Sequence, residues 1–222
     1  RALMGVRSLI TDFMELEDRV YSLSVVAGDS AGSIFDLKRE MLDLSLDTRF
    51  TASELTKSID EIIRTGKSFE EAKILINGTE QAKLGIKDLA IASGESLEYA
   101  TESVNGMFVA LGMSVDKITE VSQQLHGTAV GTATDLRGLS VASGQYIGAL
   151  STLADTTSKS GDELNNYRVE LMELGVGFTG ILSNMGRTSE KAGTTIREFF
   201  TKLVKADTSA EAMFEANLQR KK

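Results

Sequence analysis

Proline, cysteine and tryptophan are all absent from the 222 residues. Without cysteine there is no disulfide, no thiolate nucleophile and no cysteine zinc site, and redox chemistry leaves the compartment open. Average usage would put roughly ten prolines in a chain of this length. Irregular turns, cis peptides and edge strands tend to use proline, whereas helices exclude it because it lacks the N–H and clashes with the preceding turn. Aromatics are only 6% of residues, and no segment alternates strictly over more than a few positions, so strand signals are poor. No apolar run has the length of a membrane span. Cations are in the minority, 24 Lys and Arg against 32 Asp and Glu, giving a net charge of −8 and a pI near 4.9. That balance opposes broad contact with a phosphate backbone. The terminal "LQRKK" is too short for a nucleic-acid footprint, so no specific nucleic acid is expected as a partner.

What remains is 41% hydrophobic residues, enough to bury one large or two small cores. The expected class is all-α: short to medium helices joined by tight glycine turns, preceded by a heptad-patterned helix able to form a coiled coil. In the N-terminal stretch Val6, Leu9, Phe13, Leu16, Val20 and Leu23 are spaced 3, 4, 3, 4, 3, the seam of a self-associating helix. Ile34, Leu37, Met41 and Leu44 continue the phase. Either one helix runs through "AGDSAG" or two helices share a register. Two glycines, each costing about 1 kcal/mol in a helix interior, favour a break capped by Asp29 or Ser30. The patterning divides the chain into 1–48 (heptad helices), 49–207 (helical core) and 208–222 (a C-terminal helix). "RALMGVRSLI" enters in mid-helix, as expected for a piece of a longer protein.

Four Ser/Thr-x-x-Glu patterns predict helix starts with reciprocal caps: Thr51 with Glu54, Ser68 with Glu71, Ser160 with Glu163, and Thr208 with Glu211. Gly66, Gly78, Gly94, Gly112, Gly127, Gly144 and Gly175 stand where the apolar pattern stops and read as residues just past helix ends. Between Ser103 and Ala154 only Asp116, Lys117, Glu120, Asp135 and Arg137 are charged. Small residues fill the rest and let helices approach closely. This is either an ordinary buried helix pair or a surface that meets copies of itself, a tube wall or lipid. A cap, helix, Gly turn, helix pattern recurs weakly, at spacings too irregular for a solenoid.

Few residues carry chemistry. Gly66-Lys67-Ser68 ends as a phosphate loop ends, but Glu61 stands where such a loop needs its first glycine, and a helix precedes it in place of a strand. In "NMGRTSEKAGTTIREFF" Lys191 precedes Gly193 and cannot sit between glycine and hydroxyl. Gly186 there reads as a helix end, Thr188 or Ser189 as the next cap, and Phe199 and Phe200 as buried. His126, alone of its kind, precedes a glycine as a histidine near a helix C-terminus would. No catalytic, cofactor-binding or metal-ligating residue is expected, and no enzyme.

The order of features from about residue 10 to 207 resembles the core of phage tail tape measure proteins of the TP901 type. "LDTRFTASELTKSIDEIIRTGKSFEEAK" is similar to that family's "t-x-F-s-x-x-E" helix, its closing glycine and the short helix that follows. "LGIKDLAIASGESLEYATESVNGMFVALGMSVDKITEVSQQL" is similar to its run of "a-x-x-l-a" helices. "ELMELGVGFTGILSNMGRTSEKAGTTIREFFTKLVKAD" carries its closing signature, of which Ala192, Gly193, Thr194 and Arg197 are the most specific part. The chain departs from the signature at Ile196, where leucine is common, and at Asp207, where a proline often follows the helix. The resemblance implies a non-enzymatic virion protein in the tail lumen, made in the host cytoplasm. It would set tail length and leave ahead of the DNA. It also implies copies of itself as trimer or hexamer, and contact with tail tube and distal tail proteins, with tail assembly chaperones, and with the host envelope on ejection. The alternatives are a membrane-active helical protein of pore-forming type and a helical scaffold or adaptor module.

Overall fold

The computed structural model describes residues 14, 16–25, 34–46 and 48–219, with the backbone alone for 34–35 and 207–219. These residues are helical with no strand among them, so the class is all-α as the missing prolines and poor strand signals imply. We label residues 16–25 α1, followed by α2 (Ile34–Leu46), α3 (Ala52–Arg64), α4 (Phe69–Asn77), α5 (Ile86–Ser93), α6 (Leu97–Leu111), a 3₁₀ turn (Val115–Lys117), α7 (Ile118–Gly131), α8 (Leu136–Asp155), α9 (Gly161–Asn184) and α10 (Ser189–Gln219). The chain forms two compact units, 1–106 and 107–222, with the boundary inside α6. That boundary falls within the stretch 49–207 that the patterning reads as one core, and residues 208–219 are the continuation of α10.

In the first unit the described part of the heptad seam is spent on the chain's own core. Leu16, Val20 and Leu23 are buried, as are Leu37 and Met41 of α2. Val6, Leu9, Phe13 and the "AGDSAG" segment lie outside the described residues. Lys38 Nζ of α2 donates to Glu17 Oε1 of α1 at 2.7 Å. Helix α3 is the most amphipathic element, burying Leu55, Ile59, Ile62 and Ile63 on one face. At roughly 2 kcal/mol for each fully buried aliphatic side chain, this face is a main stabiliser of the unit.

Local starts follow the chemistry of the caps. The Thr51 and Ser68 hydroxyls accept from the backbone N–H groups of Glu54 and Glu71, whose carboxylates accept in return from the N–H groups of Thr51 and Ser68. The Ser68 N–H, the largest of several causes, holds the Glu71 carboxyl below its ordinary pKa. Ser160 begins α9 without a side-chain cap, and the Glu163 carboxylate pairs with Lys159 instead. Thr208 and Glu211 start nothing: the backbone is helical through both as part of α10.

Glycines divide into two kinds. Gly66, Gly78, Gly94 and Gly112 have positive φ and follow helix ends as expected, and Gly186 does the same after α9. Gly78, at φ 88°, also has no room for a side chain, since a Cβ would lie 2.7 Å from the Ala82 carbonyl oxygen. Gly127, Gly144 and Gly175 instead lie inside α7, α8 and α9. Their helices continue because packing of the apolar face outweighs the roughly 1 kcal/mol that an interior glycine costs. His126 is therefore inside α7, which runs on to Gly131, and not at a helix C-terminus.

Candidate assembly site on the second unit

The second unit is built around α8, α9 and α10. Leu136, Leu139, Tyr146 and Leu150 of α8 are buried with Val169, Met172 and Val176 of α9 and with Ala192, Ile196 and Phe200 of α10. Two helices can pack this closely only where small residues let their backbones meet, and the signature residues supply such a place. Gly193 faces the main chain of α8: a Cβ there would lie 2.5 Å from the Ala142 carbonyl oxygen and 2.9 Å from Ala142 Cα. Ala192 beside it is fully buried. The close approach at Gly193 is made within one chain. Thr194 is half-buried and Arg197 exposed, so neither shares that packing role.

A second close approach lies across α8 and α9. Gly175 accommodates the ring of Tyr146, whose Cε2 would stand 2.5 Å from a Cβ at that position. The Thr179 hydroxyl donates to the Gly175 carbonyl at 2.9 Å. Burial pushes the Tyr146 phenol up to about 12, against a smaller opposing effect of Thr179, so it stays neutral at every physiological pH. Helix α9 also holds the loops on either side of α7. Asn165 Oδ1 accepts from the Ser114 N–H at 2.9 Å, Arg168 donates to the Gly112 carbonyl at 2.7 Å, and Asn184 Oδ1 accepts from the Ala133 N–H at 2.7 Å. The low-charge segment is shared between inside and outside. Ile118, Val121, Leu125 and the α8 residues above are core, whereas Val130, Val141, Gly144 and Gly148 are exposed.

The loops that look like phosphate sites are helix punctuation. Ser68 is occupied as a cap, and Lys67 lies 3.9 Å from Glu71. Around Gly186 the chain makes a tight turn from α9 into α10, Thr188 accepts the first helical bond from Ala192, and Phe200 is buried. Phe199, expected inside, is 44% exposed, and it meets Phe178 edge to face at 5.7 Å. Among the described residues no group of three or more His, Asp and Glu could hold a metal ion. Among them, too, no helix is long and apolar enough to cross a membrane.

Sequence reasoning missed the outer face of α9 and α10. Its signal is the recurrence of Leu174, Phe178, Ile181 and Met185 at helical spacing along α9.

Comparison with known proteins places this architecture. The tape measure protein of Pneumococcus phage Dp-1 is 20% identical over 191 residues, which cover 86% of this chain and 15% of that protein. The chain thus spans about a seventh of the length of that relative. No solved structure matches. The family model for phage-related minor tail proteins matches residues 38–222, a range that begins within α2 and includes all of α10. That match covers most of the chain, and the chain belongs to the phage-related minor tail protein family.

Proposed function

We propose that the chain is part of a tape measure protein of the TP901 type. It is a non-enzymatic component that occupies the tail lumen, sets tail length during assembly and leaves ahead of the DNA at genome delivery. The observation that carries this reading is the similarity to the Dp-1 tape measure protein over 86% of the chain, in an all-α architecture whose signature glycine serves helix packing. Helix suits a ruler because it advances a fixed 1.5 Å per residue and satisfies its own backbone hydrogen bonds. The net charge of −8 suits a protein that shares a lumen with passing DNA, since like charge opposes retention on the phosphates. Copies of the chain, the tail tube, distal tail proteins and tail assembly chaperones are its proposed partners, with host envelope contact on ejection.

The test is compositional. Purified virions are compared with particles triggered to release their DNA in vitro, and peptides of this chain are quantified in each by mass spectrometry. The reading predicts the peptides in intact tails and their loss from emptied ones. Equal amounts in both would contradict expulsion, and absence from intact virions would contradict the tail assignment altogether.

A further inference from the structure

Among the described elements, α6 is the one that belongs to both units, since their boundary falls just after Gly106 in its interior. Side-chain bonds hold its two halves to different partners. On the N-terminal side Lys57 of α3 pairs with Glu98, and Asn105 Nδ2 donates to Thr65 Oγ1 at 3.4 Å. Arg49 donates to the Glu95 carbonyl, just before the helix, at 3.1 Å. All of these partners lie within residues 1–106. Past the other end, Arg168 donates to the Gly112 carbonyl at 2.7 Å and Asn165 accepts from the Ser114 N–H at 2.9 Å, both within residues 107–222. Gly106 stands between the two sets of anchors.

Three local features make Gly106 the place where α6 departs from helix most readily. Glycine has the weakest helix preference of any residue but proline, and a Cβ here would meet nothing within 4 Å, so no close approach requires the glycine. Gly106 is exposed, as are Glu102, Val109 and Ala110 around it, so water can take over carbonyls freed when the hydrogen-bond ladder opens on that side. The third feature is next in the chain. Asn105 is 3% exposed, and its Oδ1 is buried without a hydrogen-bond partner. Opening the helix admits water to that oxygen and so offsets part of the cost of bending. Gly127 and Gly144 are equally unhindered, but α7 and α8 each lie wholly within the second unit.

We propose that Gly106 is a hinge: α6 bends there, and the two units are joined by an articulated helix. The anchors on either side keep residues 97–105 with the first unit and 107–111 with the second, so the change in backbone angles is confined to the glycine and its immediate neighbours. The device has two states, α6 straight and α6 bent. The inference rests on α6 alone and makes no use of the tape measure reading, so it stands or falls independently of tail length and of expulsion.

The chain has no cysteine of its own, so spin labels can be placed by single substitutions in the 222-residue protein. Ala92→Cys in α5 and Gln123→Cys in α7, both at exposed positions, form the pair that spans the hinge, and double electron–electron resonance reads its distance distribution. Pairs within one unit, Ala92→Cys with Glu70→Cys and Gln123→Cys with Glu198→Cys, give the width of a rigid body. The spanning pair is expected to show two populations. Gly106→Ala should shift their ratio about fivefold toward the straight form, by the helix preference of alanine over glycine. Gly127→Ala, the same change inside one unit, should leave the ratio as it was. A spanning distribution as narrow as the reference pairs would overturn the proposal. So would a ratio that Gly106→Ala does not move, or one that Gly127→Ala moves as much. Both glycines are unhindered, and circular dichroism of each variant verifies that its helix content is intact.

Discussion

Gly193→Ala should destabilise the second unit even though alanine is the better helix former. A Cβ built on Gly193 meets backbone, 2.5 Å from the Ala142 oxygen and 2.9 Å from Ala142 Cα, with Gln145 Cβ also at 2.9 Å. Main chain cannot rotate away as the end of a long side chain can, so α8 and α10 must move apart. Overpacking of this kind costs about 1 to 3 kcal/mol. Helix propensity returns roughly 1 kcal/mol when glycine becomes alanine, leaving a net loss of up to about 2 kcal/mol. The control is the same chemical change on the open side of α8, where a Cβ at Gly144 meets nothing within 4 Å. Gly144→Ala keeps the propensity gain and pays no steric penalty, so it should stabilise by about 0.5 to 1 kcal/mol. The assay is urea unfolding followed by circular dichroism at 222 nm, read from the shift in midpoint. Opposite signs are expected for the two variants. Equal stabilisation by both would refute the claim that the signature glycine exists to let α10 approach α8.

Three further outcomes follow from local chemistry. Ser68→Ala should cost about 1 kcal/mol, because its hydroxyl satisfies the Glu71 N–H, whereas Ser160→Ala should cost only a few tenths, because Ser160 makes no cap bond; thermal melts of the pair decide it. Burial, then the Glu102 and Glu98 carboxylates, raise the Glu61 pKa, so the folded chain holds a proton that the unfolded chain has released. Stability from this group is therefore greatest below the ordinary carboxylate range and falls as pH rises through the raised value. Glu61→Gln should raise the melting temperature slightly at pH 7 and leave it unchanged at pH 4; a gain of equal size at both would show that charge is not the cause. Gly175→Ala should be destabilising by a core-overpacking amount, about 1 to 3 kcal/mol. Its Cβ would meet the buried Tyr146 ring, and a melt unchanged from wild type would contradict the crossing described.

How much of this was legible in the sequence depends on the range of the interaction concerned. The caps at Thr51 and Ser68 were readable because donor and acceptor lie three residues apart, inside one local pattern. The same pattern at Thr208 misleads, because Thr-x-x-Glu also occurs inside a continuing helix, and only the length of α10 distinguishes the two. Gly94 and Gly175 look alike on the page, yet one ends a helix at φ 74° and the other makes room for Tyr146, 29 positions away in the chain. The resemblance picked out Ala192 and Gly193, while the contact Gly193 makes with the main chain at Ala142 is a long-range fact. Apolar periodicity located the described seam residues correctly as hydrophobic face. It could not say whether Leu16, Val20 and Leu23 meet another chain or, as found, the protein's own core.

The central claim is architectural, that helical length in this protein is converted into length of tail. Tails measured by electron microscopy, from phage carrying in-frame deletions and duplications of whole helical turns in the intact tail protein outside residues 1–222, test it most directly. The account predicts tail length that changes linearly with residues removed or added, at about 1.5 Å per residue. Tails of unchanged length across the series would contradict it.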